Sequence, residues 1–87
     1  MTPELTLPTG LLIGGRWQQD SSAGTMAHVN PATGRVQAEF PVAGEAEVDA
    51  AVQAARRALP GWRALAPAER ARLLHRIAAG MRERIDE

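Results

Sequence analysis

Large apolar side chains are scarce in this sequence, and their scarcity limits the core that the chain can form. Of 39 hydrophobic residues among 87, 17 are Ala, which leaves one Phe, two Trp, three Met and 16 Leu, Ile and Val for packing. A chain of this length forms at most one small domain and buries only about 63 per cent of its unfolded surface. No Cys is present to add a disulfide. We therefore expect marginal stability for the chain on its own.

The residue types that are missing exclude several kinds of catalysis. Without Cys and Lys, the 87 residues offer no thiol nucleophile, no Schiff-base amine and no P-loop lysine. His28 and His75 are 47 residues apart with no acidic cluster beside them, so we interpret them as surface or packing residues. No Ser, His and carboxylate arrangement suggests a triad. The sequence thus gives no candidate catalytic residue, cofactor-binding residue or metal ligand.

Short strands and turns are predicted for the first half of the chain. Residues 1–10 hold two Pro and one Gly without apolar periodicity, so we predict a flexible arm there and one incomplete domain over 11–87. Gly14-Gly15 favours a type I′ turn, because glycine adopts positive φ without a Cβ clash. It predicts a hairpin of Leu11–Ile13 with Arg16–Gln18. A phosphate-binding loop is disfavoured, since such a loop joins a strand to a helix.

A second hairpin is predicted from Met26–Val29 and Arg35–Val42. In the connecting turn, Asn30 can bond its own backbone and Gly34 can adopt a left-handed conformation. Apolar and polar residues alternate along the second strand, which directs one of its faces toward a core.

Two amphipathic helices are predicted to follow. The first runs from Glu45 to Leu59 and is expected to stop at Pro60-Gly61. Its acidic start, which includes Glu47 and Asp49, could suggest acid/base chemistry. Because acidic residues are favoured at helix N-termini, we interpret them as a solvated cap.

The second helix is predicted to begin at Pro67, with Glu69 as half of a capping box. Its apolar stripe consists of Leu74, Ile77, Ala78, Met81 and Ile85. The stripe is still in phase at Ile85, with no capping residue after it, and we expect a truncated helix and hence a fragment.

Arginine is concentrated in the helical half. Residues 56–84 hold eight Arg against two Glu, an excess of six positive charges. Since Trp62 continues the apolar stripe of the first helix, we interpret this surface as solvated or protein-facing and expect no nucleic-acid partner. The first ten residues lack a signal-peptide pattern and no later stretch has the length of a membrane span. A cytoplasmic location without membrane contact is expected.

Five ordered motifs carry a family resemblance. They are Leu12-Ile13-Gly14-Gly15-Arg16-Trp17, Val29-Asn30-Pro31-Ala32-Thr33-Gly34, Val48-Asp49-Ala50-Ala51-Val52-Gln53-Ala54-Ala55-Arg56, Trp62-Arg63 and Pro67-Ala68-Glu69-Arg70-Ala71-Arg72-Leu73-Leu74. Together they resemble the N-terminus of the NAD(P)-dependent aldehyde dehydrogenase superfamily over residues 11–87. Two departures are Ala66, where members often place a capping residue, and Gly80 inside the second helix. Each should weaken that helix by about 1 kcal/mol.

The resemblance implies an α+β segment, two β-hairpins followed by two amphipathic helices, within a Rossmann-like α/β cofactor domain. It implies a parent enzyme that oxidises an aldehyde to a carboxylic acid with NAD or NADP through a Cys thioester. The residues for this chemistry lie outside the matched stretch, so the chain alone is expected to be inactive and to bind no cofactor. Its expected partners are the remainder of the cofactor and catalytic domains, in a parent that is a homo-oligomer. The alternative is a stand-alone α+β protein-interaction module with an Arg-rich surface.

Overall fold

A computed structural model of the chain describes residues 8–87, so positions 1–7 of the predicted arm lie outside the described residues. The elements are β1 (Leu11–Ile13), β2 (Arg16–Gln18), β3 (Thr25–Val29), β4 (Val36–Pro41), α1 (Glu45–Ala64) and α2 (Pro67–Glu83). The strands form two antiparallel sheets of two strands each, β1 with β2 and β3 with β4. This confirms the predicted α+β class. The chain divides into two compact units, the first ending at Ala55 and the second comprising Arg56–Glu87.

The first hairpin has the predicted strands and turn. Leu12 pairs with Trp17 at the centre of the three-residue ladder. Gly14 and Gly15 have φ values of 59° and 79°, so both central turn residues lie in the left-handed region. Only glycine adopts two such values in succession at little cost, which explains why the Gly-Gly dipeptide predicted this turn.

The second hairpin also follows the prediction, with small changes at the strand ends. Met26 pairs with Phe40, and the register shifts between His28 and Val29. Strand β3 begins one residue earlier than predicted, at Thr25, while β4 is shorter than predicted at both ends.

The turn between β3 and β4 uses the bonds that its residues predicted. Asn30 Oδ1 accepts a hydrogen bond from the Ala32 amide at 2.9 Å. The Asn30 amide donates to the Arg35 carbonyl at 2.8 Å, and Gly34 has a φ of 71°. The side chain of Asn30 therefore replaces a backbone acceptor within the turn.

Helix α1 does not stop at Pro60-Gly61 as predicted but continues to Ala64. Proline lacks an amide hydrogen, yet its φ lies in the helical range, so a helix can pass through it after losing one hydrogen bond. The Leu65 amide donates to the Trp62 carbonyl at 3.2 Å just beyond the end of α1. The prediction that Pro60-Gly61 ends α1 was therefore wrong.

Helix α2 begins at Pro67, as predicted, but without the predicted capping box. Ala66 is extended at the N-cap and supplies no side-chain cap. The Glu69 carboxylate binds Arg72 Nη1 at 2.6 Å, because a guanidinium on the next turn is a stronger donor than a backbone amide. The helix ends at Glu83, so its last turn is shorter than the apolar periodicity indicated.

Very little of the described chain is buried. Within residues 8–87, only Pro41 and Glu47 are buried, and none of the larger apolar residues is. Phe40 and Ala38, on the apolar face of β4, are half-buried, whereas Val36 on the same face is 60 % exposed. The amphipathic faces predicted from the sequence exist, but within the described residues they are not covered.

Candidate functional site

A buried carboxylate lies where the loop after β2, the end of β4 and the start of α1 meet. Glu47 Oε1 accepts hydrogen bonds from the Ser22 amide at 2.7 Å and the Gly44 amide at 3.1 Å. Ser22 Oγ lies 2.8 and 3.0 Å from the two carboxylate oxygens, and Ser21 Oγ lies 3.1 Å from Oε1. Ser21 Oγ also donates to the Val42 carbonyl. We call Ser21, Ser22, Gly44 and Glu47 the carboxylate cluster.

The carboxylate cluster contains half of a capping box at the start of α1. Gly44 occupies the N-cap, since its carbonyl accepts from the Val48 amide at 3.0 Å, and Glu47 stands at the third helical position. A Cβ on Gly44 would collide with Ser22 Oγ and lie 3.3 Å from the Ala23 Cβ. A side chain at position 44 would displace Ser22 Oγ from the Glu47 carboxylate, so glycine favours the close approach of the loop to the helix.

The hydrogen bonds of the cluster stabilise the charged form of Glu47. The Ser22 amide contributes most, followed by the Ser22 hydroxyl and the Gly44 amide, and together they lower the pKa of Glu47 from 4.5 to about 2. A carboxylate with this pKa is a poor proton acceptor near neutral pH. The prediction of a solvated cap was wrong for Glu47, which is 8 % exposed. Its arrangement is that of a structural anchor.

The two histidines do not form part of this cluster. His28 Nδ1 lies 3.1 Å from Gln37 Nε2, and its ring centre lies 5.6 Å from that of Phe40. His75 is an exposed residue of α2. Among residues 8–87, no group of three or more His, Asp or Glu side chains is placed to hold a metal ion.

The second unit carries a shallow apolar groove between the end of α1 and the middle of α2. Trp62, Leu73 and Ile77 line it, and Arg76 contributes the cationic part of its wall. Trp62 is 42 % exposed and Ile77 57 % exposed. Among the described residues Arg76 makes no ion pair, whereas Arg72 pairs with Glu69.

The described residues contain no Rossmann-type dinucleotide loop. A Rossmann-type site places a glycine-rich loop between a parallel strand and a helix N-terminus. Here Gly14-Gly15 joins two antiparallel strands, and both sheets contain two strands only.

None of the helices described over positions 8–87 is both long and apolar enough to cross a bilayer.

The chain belongs to the aldehyde dehydrogenase family, because the sequence pattern that defines this family matches residues 17–87. The resemblance seen in the ordered motifs is thereby confirmed. No solved structure matches the chain.

Three curated relatives are 39–51 % identical to this chain over most of its length. The chain is 51 % identical over 76 residues to 2-hydroxymuconic semialdehyde dehydrogenase of Pseudomonas sp. (strain CF600), over 86 % of this chain and 16 % of that protein. It is 39 % identical over 75 residues to 2-aminomuconic semialdehyde dehydrogenase of Bos taurus, over 86 % of this chain and 15 % of the relative. It is 40 % identical over 87 residues to malonate-semialdehyde dehydrogenase 3 of Geobacillus kaustophilus (strain HTA426), over 100 % of this chain and 18 % of the relative. The chain thus spans about a sixth of the length of these relatives.

The carboxylate cluster was not predicted as a unit. Gly44 and Glu47 have the spacing of a capping box, which is a signal that the sequence does contain. The part played by Ser21 and Ser22 depends on a loop that approaches α1 from 25 residues away, and no local pattern indicates that approach.

Proposed function

We propose that the chain is the N-terminal part of an NAD(P)-dependent aldehyde dehydrogenase, which oxidises an aldehyde to a carboxylic acid through a Cys thioester. The observation that carries this proposal is the 51 % identity over 76 residues to a semialdehyde dehydrogenase, within a family match over residues 17–87. The 87 residues contain no Cys, so the nucleophile comes from another part of the parent polypeptide.

The role of the chain in that enzyme is structural. The carboxylate cluster fixes the loop after β2 to the first turn of α1 through Ser22 and Glu47. The uncovered apolar side chains of both helices are available to pack on the remainder of the cofactor and catalytic domains. The parent enzyme is a cytoplasmic homo-oligomer in this proposal.

The cofactor of the parent is NAD or NADP, and it supplies the hydride acceptor when bound. Because the described residues have no dinucleotide loop, they do not hold it, and the chain alone catalyses no oxidation. Their contribution is to support the fold around the cofactor site of the parent and to hold the loop after β2 against the first turn of α1.

The substrate class proposed for the parent is a semialdehyde, an aldehyde with a carboxylate at its other end. The names of the three relatives share this chemistry, with hydroxymuconic, aminomuconic and malonic semialdehydes as their substrates. The pocket that would select this carboxylate is supplied by the remainder of the enzyme.

A chimera tests this proposal. The 76-residue matching segment of the CF600 relative is replaced by the corresponding residues of this chain, and aldehyde-dependent NAD(P)H formation is measured. We expect an active chimera and no turnover by the 87-residue chain. A soluble chimera without activity, or turnover by the 87-residue chain alone, would contradict the proposal.

The second candidate function is a stand-alone protein-interaction module. It is favoured by the net positive charge of Arg56–Glu87, which contains eight Arg and four acidic residues. The genomic sequence after the Glu87 codon distinguishes the two functions. An open frame that encodes a Cys-containing catalytic segment supports the dehydrogenase, and a stop codon supports the module.

A further inference from the structure

We draw no further inference here: the strongest candidate, the shallow apolar groove that Trp62, Leu73 and Ile77 line between the end of α1 and the middle of α2, carries none because nothing in the structure shows what covers it.

Discussion

Ser22 holds the Glu47 carboxylate with both its backbone and its side chain. Its amide lies 2.7 Å and its hydroxyl oxygen 2.8 Å from Oε1, across a separation of 25 residues. Charge-assisted hydrogen bonds of this kind are stronger than neutral ones. The loop after β2 is therefore joined to α1 by polar bonds in a unit that buries no large apolar side chain within the described residues.

Removing the charge of Glu47 should loosen the loop after β2. In Glu47→Gln, the side chain loses its negative charge and directs an NH2 group toward donors, so the bonds to Ser22 and Gly44 weaken. We expect hydrogen exchange of the Ser22 and Gly44 amides to accelerate at least tenfold, as measured by NMR. Glu45→Gln removes an exposed charge from the same helical turn and is the control. Similar exchange rates in both variants would contradict the anchor role.

The same carboxylate predicts how stability depends on pH. The pKa of Glu47 is lowered from 4.5 to about 2 in the folded chain, mainly by the Ser22 amide. Its contribution to stability is therefore complete above pH 4.5 and is lost as the pH falls toward 2. Thermal unfolding followed by circular dichroism should show a decline over this window that is smaller in Glu47→Gln than in Glu45→Gln. A carboxyl titration of Glu47 near pH 4.5 in NMR would refute the prediction.

The turn conformations were predictable from the sequence because each depends only on residues within the turn itself. Gly14-Gly15 and the Asn30–Gly34 turn adopt the predicted conformations, since positive φ and the Asn side-chain bond depend only on neighbouring residues. The start of α2 at Pro67 was predictable for the same reason.

Features that depend on a choice between partners were not predictable. Glu69 and Glu47 both occupy the third position of a helix, yet Glu69 binds Arg72 and Glu47 completes a capping bond to Gly44. The choice at Glu47 depends on Ser22, which tertiary structure brings close. Pro60 costs α1 one backbone hydrogen bond, and the helix continues if its remaining residues compensate for that loss. The Pro-Gly pattern alone does not decide whether they do.

The first hairpin should depend on glycine at Gly15. Its φ is 79° and no atom lies within 4 Å of the position that a Cβ would occupy, so Gly15→Ala meets no clash but places an alanine in the left-handed region. The cost is about 1 kcal/mol, and Gly15→Asn should cost less because Asn tolerates this region. NMR shifts of Leu12 and Trp17, which pair across the ladder, report the loss of hairpin. Gly80→Ala, in open space within α2, is the contrasting variant and should raise helix content.

Helix α2 should gain stability from a capping side chain at Ala66. This residue is extended, with φ −62° and ψ 149°, and it makes no side-chain cap bond, so Ala66→Ser can place an oxygen near the free amides of the first turn. The expected gain is about 1 kcal/mol, seen as more helical signal in circular dichroism and a higher unfolding midpoint. Ala68→Ser adds the same hydroxyl inside the first turn, where it cannot cap and serine is a weaker helix former than alanine. It should lower the helical signal slightly, and an equal gain in both variants would show that capping is not the cause.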